Sequence, residues 1–175
     1  CEDCRACISV RVKVAQFTPS KGFTRVLKKN NDLSGIQIRP ETNKYQFELL
    51  SKYLDQRHKI CGMSDMSIFD YMGMVEDTCV DTHLVEYHDA DANLVAACLI
   101  DRLSDGLSMV YSFYNPDLHT RSLGTFMILD QIQRTREAGL EYLYLGYWIE
   151  GCTKMVYKQR FKPLEKLTEV GWEPF

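Results

Sequence analysis

The sequence predicts an α+β protein: a mixed sheet flanked by helices, preceded by the remnant of a smaller cysteine-containing unit. Three observations lead there. From His83 onward, apolar residues recur at every second position in three successive segments joined by short turns, as in antiparallel strands. An apolar-rich stretch of helical character then separates the third strand from a fourth apolar run, Tyr142–Tyr147, which calls for a parallel-type crossover. The chain starts in a Cys-x-x-Cys-x-x-Cys motif followed by basic residues.

Taken in order, Ile8, Val10, Val12 and Val14 alternate with Ser9, Arg11 and Lys13. Ile8 to Phe17 is therefore expected to be a strand with one wet, basic face. Pro19 to Asn31 is polar and basic, a loop with a short helix around Arg25–Lys29. After Ile36–Ile38, Pro40 breaks the pattern and Glu41 opens a helix ending near Arg57–His58, with Tyr45, Leu49, Leu50 and Tyr53 at helical spacing. Gly62 to Ser67 reads as a loop, and Ile68 to Val75 as a helix with Phe69, Met72 and Val75 inward.

Leu84–Tyr87 and Leu94–Arg102 bracket the turn Asp89-Ala-Asp-Ala-Asn93. Asp105-Gly106 makes a second tight turn, and Leu107–Tyr114 is a third strand that Asn115-Pro116 ends. Ser122 is the expected N-cap of a helix over Leu123–Ala138, with Arg134 and Arg136 in its last turn and Gly139 just past its end. After the strand Tyr142–Tyr147, a helix is expected to carry Lys154, Lys158 and Lys162 on one face beside Tyr157 and Phe161. Leu164–Thr168 is expected to be an edge strand. The domain boundary is drawn after residue 39, leaving 40–175 as the main domain.

At 175 residues and 45% hydrophobic content, the chain can build one full core. No run of 18 apolar residues occurs, so no membrane-spanning segment and no membrane partner is expected. The net charge of −3 conceals an asymmetry. Residues 1–39 hold eight Lys or Arg against three acids, a basic front on an acidic body suited to phosphate contact or to simple solvation. Seven cysteines argue against a disulfide scaffold, being odd in number and irregular in spacing. Cys1, Cys4 and Cys7 could set three thiolates around a metal or an iron–sulfur cluster, with a fourth ligand from elsewhere, or could be reduced structural thiols. Cys1 lies inside this motif and is not an initiator Met, so an upstream segment is expected. Oligomeric state is not legible in the sequence.

Two features bear on chemistry. Cations beside aromatic rings after the last apolar strand suit an anionic, partly planar ligand, such as nucleic acid, a carboxylate or a phosphorylated cofactor. A solvated basic helix with an aromatic core stripe fits the same spacing. Backbone N–H groups at Arg121-Ser-Leu-Gly-Thr125, with Arg121, could hold an anion. Of the four histidines only His58, at a helix end, is a functional candidate; His83, His88 and His119 read as loop or hairpin residues.

The order of elements resembles the GNAT fold of N-acetyltransferases. The residues resemble one branch more closely, the aminoacyl-tRNA–protein transferases of the bacterial aspartate/glutamate leucyltransferase type. The resemblance rests on Cys4-Arg-Ala-Cys7 followed by Val10-Arg-Val-Lys-Val14, on Phe17-x-Pro-Ser20 with Leu27-Lys-Lys29, and on Arg57-His58. It continues in Leu103-Ser-Asp-Gly106 leading to Val110-Tyr-Ser-Phe-Tyr114, in Ser122-Leu-Gly-Thr125, and in Leu145-Gly-Tyr-Trp-Ile149 with Lys154-Met-x-Tyr-Lys-x-Arg-Phe161. Where an acetyltransferase would carry a multi-glycine pyrophosphate loop, only Gly124 stands, so CoA is not expected.

The resemblance implies transfer of leucine from leucyl-tRNA to proteins with N-terminal Asp or Glu, in the cytoplasm, marking them for degradation. No cofactor is required for such chemistry, and eukaryotic relatives bind iron–sulfur or other metal through N-terminal cysteines. Transfer from arginyl-tRNA, or acetyl transfer from acetyl-CoA, is the alternative activity, and a non-enzymatic binder of acidic N-termini or RNA the alternative class. In a GNAT-like sheet the strand ending at Tyr114 diverges from the next, which brings Tyr111, Ser112, Tyr114, Tyr147 and Trp148 to the cleft. A tyrosine hydroxyl is expected near the ester, with Asp105 a second candidate for proton transfer. Alternation lets only one of the pairs Tyr111/Phe113 and Ser112/Tyr114 line the cleft. Arg121 with Lys154 or Lys158, beside Tyr157, is expected to meet the acceptor. Arg11, Lys13, Arg25, Lys28 and Lys29 are expected to meet the tRNA backbone.

Overall fold

The computed structural model describes residues 4–57 and 66–175. His58 and Cys61 lie outside the described residues, as does Cys1 of the cysteine motif. The strands are β1 (Ile8–Lys13), β2 (Ser34–Ile38), β3 (Asp81–His88), β4 (Leu94–Arg102), β5 (Gly106–Tyr114), β6 (Tyr142–Trp148), β7 (Leu164–Thr168) and β8 (Gly171–Pro174). They form one sheet in the order β2-β3-β4-β5-β6-β1-β7-β8. Every neighbouring pair is antiparallel except β5 and β6, which run parallel. That one parallel pair needs a crossover, and α4 (Leu123–Glu137) supplies it. The mixed α+β architecture follows the sequence expectation. The amino-terminal strands β1 and β2 belong to this same sheet, so no division of the sheet falls at residue 39.

Alternation along β3 and β4 divides the core in two. Val85, Tyr87, Ala96, Cys98 and Ile100 face one layer, where α1 (Lys21–Lys29) and α4 contribute Phe23, Phe126, Met127 and Ile132. Leu84, Ala97, Leu99 and Phe113 face the other, against Leu49, Leu50 and Leu54 of α2 (Lys44–Arg57) and Tyr71 and Val75 of α3 (Ile68–Glu76). Burying each such side chain stabilises by about 1.5–3 kcal/mol.

Several local expectations change in three dimensions. The first strand ends at Lys13 and passes into a 3-10 turn, Val14–Gln16. Helix α3 turns Tyr71 inward and leaves Phe69 77% exposed and Met72 exposed too, because its buried stripe includes Tyr71 and Val75. Its start is fastened by a capping box between Ser67 and Asp70. Ser122 occupies the N-cap position of α4 but has φ 54° and accepts no cap hydrogen bond through its side chain. The far end of α4 closes as expected: the amides of Gly139 and Leu140 donate to the carbonyls of Arg136 and Thr135. Leu164–Thr168 is an inner strand, with β8 beyond it at the edge. The basic helix is absent as such. Only Val156–Arg160 is helical, in 3-10 form, so Lys154, Lys158 and Lys162 share no α-helical face.

Candidate active site

The parallel pair β5–β6 is short. Gly106, Leu107 and Ser108 pair with Tyr142, Leu143 and Tyr144, and the pairing stops there. Both strands carry an irregularity just beyond. On β5, Leu99 and Ile100 of β4 oppose Tyr111 and Met109, so Val110 is an extra residue. On β6, Ser9 and Arg11 of β1 oppose Tyr147 and Tyr144, which leaves Leu145 and Gly146 against Val10 alone. Gly146 takes φ +70° there, a value that disfavours a Cβ. The two bulges lie just beyond the point where pairing stops, and the parting of the strands from Met109 and Leu145 onward is the candidate cleft.

The closed end of the cleft is packed tightly. A Cβ on Gly106 would lie 2.3 Å from the carbonyl oxygen of Tyr142, so only glycine lets β5 approach β6. Asp105 belongs to this closed end. Its Oδ2 accepts from the Tyr144 hydroxyl at 2.8 Å and lies 3.8 Å from Arg11 Nη1. Tyr144 in turn accepts from Arg11 Nη1 at 3.1 Å. Asp105 thus ties two strands and stands away from the opening, contrary to the proton-transfer role expected of it.

At the open end, Tyr114 closes β5. Its hydroxyl accepts from Nη2 of Arg57, whose guanidinium carbon lies 5.6 Å from the Tyr114 ring centroid. Tyr53, one turn before Arg57, meets the same ring edge-on at 5.0 Å. Tyr157, beyond β6, is close enough to Tyr114 that its phenol is pushed above its ordinary pKa, by burial first and by Tyr114 second. The mouth is therefore framed by α2, the end of β5 and the 3-10 turn after β6. Tyr114 and Tyr157 were expected near the cleft. Tyr53 and Arg57 were read only as an apolar helical position and part of a motif, although the quoted Arg57-His58 was the available signal.

Within the cleft walls, Tyr111 packs with Phe113 in the α2–α3 layer, and Tyr114 packs against the α4 layer. The Tyr111 hydroxyl is buried and has no hydrogen-bond partner among the described residues, and burial raises its pKa. An unsatisfied buried hydroxyl is a costly feature. Ser112 is half-buried on the opposite face of β5 to Tyr111. Tyr147 is 58% exposed, and Trp148 is buried edge-on to Phe175 at 4.8 Å. The Trp148 indole N–H likewise has no hydrogen-bond partner among the described residues. Lys158 is 9% exposed, and its ammonium donates to the Tyr147 carbonyl. Burial pushes that ammonium down to about 8.

The remaining sequence candidates are arranged otherwise. Arg121 turns away from the start of α4: it donates to Asn30 Oδ1 at 2.9 Å, pairs with Asp32 and reaches the Lys29 carbonyl. Lys29 donates to the Thr120 carbonyl at 2.8 Å. Both residues join α1 to the turn before α4, which removes Arg121 from the acceptor role expected of it. Arg11 is 8% exposed, flat between the Tyr142 and Trp172 rings at 3.5 and 4.1 Å and bonded to Glu165 at 2.9 Å. Lys13 pairs with the same carboxylate at 2.8 Å. Burial acts to raise the Glu165 pKa, but Lys13 and Arg11 outweigh it and hold the carboxyl below its usual range. Arg11 is thus a core residue, out of reach of a phosphate backbone. Arg25 and Lys28 of α1 are exposed, as is Lys154.

Cys4 and Cys7 are exposed free thiols. Among the described residues, no group of three or more His, Cys, Asp or Glu could hold a metal ion, and no helix is long and apolar enough to cross a membrane.

Residues 45–168 match the family described as arginine-tRNA-protein transferase, C terminus. The chain is 50% identical to an aspartate/glutamate leucyltransferase of Rhizobium leguminosarum bv. trifolii over 185 residues, covering 100% of this chain and 72% of that protein. It is 53% identical to proteins of the same description from Parvibaculum lavamentivorans (98% of this chain, 71% of the relative) and Xanthobacter autotrophicus (99% and 74%). Among solved structures, L-PGS from Bacillus licheniformis is similar with a TM-score of 0.59 at 14% identity, over 88% of this chain and 52% of that one. A tandem GNAT protein from the clavulanic acid pathway gives 0.54 at 10% identity, over 99% and 51%. This chain spans about half of each of those two, and the likeness concerns the GNAT-like fold alone.

Proposed function

From the premise that the chain belongs to the arginine-tRNA-protein transferase family, we propose that it transfers leucine from leucyl-tRNA to the N-terminal Asp or Glu of proteins. The leucyl donor rests on the relatives of about half identity, all described as aspartate/glutamate leucyltransferases. The observation that carries the reading in the fold is the cleft beyond Ser108, where β5 and β6 leave backbone groups without a ladder partner from each other.

The reaction makes modest demands. The aminoacyl ester is already activated, and an N-terminal α-amine has a pKa near ~8, so a useful fraction is neutral at neutral pH. The amine nitrogen attacks the ester carbonyl carbon, the new C–N bond forms, and the C–O bond to the tRNA ribose breaks. The amine's surplus proton leaves with the ribose oxygen. Positioning of the two substrates contributes most of the acceleration. Backbone N–H groups that the diverging strands no longer give to each other, with the Tyr111 hydroxyl, are suited to the oxyanion of the tetrahedral intermediate. The exposed Tyr147 lines the approach. The exposed Arg25 and Lys28 of α1 are suited to the tRNA backbone. No cofactor and no CoA enter these steps, and a reaction fed by aminoacyl-tRNA belongs in the cytoplasm. Marking of the product for degradation follows from the same resemblance.

The test supplies a peptide beginning with Asp and one donor at a time: leucyl-tRNA, arginyl-tRNA or acetyl-CoA. Leucine incorporation alone is expected. Incorporation of acetyl or arginine in its place would overturn the reading, and transfer from no donor would favour a binding protein.

A further inference from the structure

Leucylation of an acidic N-terminus requires a cation that the acceptor's side-chain carboxylate can reach while its α-amine lies in the cleft. Most cations near the mouth are already engaged. Arg121 is tied to Asn30 and Asp32. Lys52 is paired with Asp117 at 2.6 Å. Lys158 is buried and turned to the Tyr147 carbonyl. Arg57 differs from these three. It is exposed in the last turn of α2, and among the described residues no carboxylate pairs with it. Its hydrogen-bond partner is the hydroxyl of Tyr114, the residue that ends the splayed part of β5.

We propose that Arg57 is the residue that recognises the side-chain carboxylate of the acceptor's N-terminal Asp or Glu, an inference that rests on the leucyltransferase reading above. Guanidinium has five N–H donors, and the bond to Tyr114 uses one, leaving an edge that a carboxylate can meet through two parallel hydrogen bonds. Tyr114, itself packed edge-on against Tyr53, fixes the side chain in advance, so little rotamer freedom is lost on binding. Among the described residues the neighbours of this guanidinium are aromatic and no carboxylate pairs with it. A planar fork also favours Arg over Lys here. Placement at the mouth, beside the residue that ends β5, lets the carboxylate stay outside while the α-amine beside it enters.

The test compares Arg57→Gln with the natural full-length protein on two peptides that differ only in beginning with Asp or Asn. Peptide affinity is measured directly by fluorescence polarisation, and leucine transfer in parallel. The natural protein is expected to prefer Asp, and Arg57→Gln to shrink that preference at least about tenfold. The KM for leucyl-tRNA is expected to stay within about twofold, as a change in uniform binding of one substrate requires. Tyr114→Phe, which loosens Arg57 without removing it, is expected to lie between the two. An Asp-to-Asn ratio unchanged in Arg57→Gln would overturn the proposal. Should Arg57→Gln fail to fold, Arg57→Lys keeps the charge without the fork and must still lose part of the preference; a full preference there would equally overturn it. Loss of transfer by the natural protein would fail the leucyltransferase reading, whereas the binding ratio would still decide the part played by Arg57.

Discussion

Lys158 reaches back from the 3-10 turn beyond β6 to donate to the carbonyl of Tyr147. That carbonyl belongs to the part of β6 beyond its pairing with β5. The ammonium ties the 3-10 turn back to the end of β6. The arrangement keeps a cation in a desolvated position, which is why its pKa falls to about 8.

A pH signature follows from that depression. The unfolded chain returns Lys158 to its ordinary value of 10.5. Between about 8 and 10.5 the folded protein releases the proton while the unfolded chain still holds it, so stability rises with pH in that window. Below it both states are charged and the cost of burial is carried in full. Denaturant titrations of the natural protein and Lys158→Met are expected to give a stability difference that moves toward the natural protein as pH rises through the window. A pH-independent difference would show that the amine is not desolvated.

Tyr111→Phe removes a buried hydroxyl that has no partner among the described residues. Stability is expected to hold or rise by about 1 kcal/mol, because an unpaired polar group is lost with the ring kept in place. Single-turnover transfer from leucyl-tRNA is expected to fall about a hundredfold, the scale for one oxyanion donor. Tyr147→Phe, on an exposed ring, serves as the comparison and is expected to change little. Equal rates for Tyr111→Phe and the natural protein would leave catalysis to backbone donors and positioning.

Arg121→Ala severs the bonds to Asn30, Asp32 and the Lys29 carbonyl that hold α1 to the turn before α4. We expect about 1–2 kcal/mol of destabilisation, discounted for the partial exposure of Asp32. Because the damage is to the scaffold, the apparent affinities for tRNA and acceptor should fall together. A rise in acceptor KM alone would restore Arg121 to the acceptor site.

For tRNA, the salt dependence of binding separates contact from structure. Replacing Arg25 and Lys28 together is expected to lower the slope of log K against log salt by about 0.7–0.9 per lost phosphate contact, with the melting temperature unchanged. Arg11→Ala is expected to cost about 3 kcal/mol of stability, since Glu165 is then left buried with Lys13 alone. An undiminished slope for the α1 double variant would assign that face to solvation.

Sequence reasoning reached the fold because the sheet is written in local terms. Period-two alternation from Leu84 to Tyr114, the turn at Asp105-Gly106 and the end of α4 at Gly139 each depend on neighbours a few residues away. The Lys158 region failed for the corresponding reason. Four-residue spacing of lysines points to an α-helical face, and the local pattern holds no sign of the hydrogen bond that Lys158 makes from a 3-10 turn to the Tyr147 carbonyl, 11 residues away.

By itself, then, the sequence determined the mixed sheet, its parallel crossover and the transferase resemblance, all carried by periodicity and short motifs. Tertiary structure alone decided what each charge does. Arg11, Arg57 and Arg121 are the same residue type, and nothing in their immediate neighbours states what each pairs with. One is buried against Glu165 from 154 positions away, one is tied to Asp32 from 89 positions away, and one is left at the cleft mouth beside Tyr114. An arginine's availability depends on whether a distant carboxylate folds onto it, and the local pattern holds no record of that pairing.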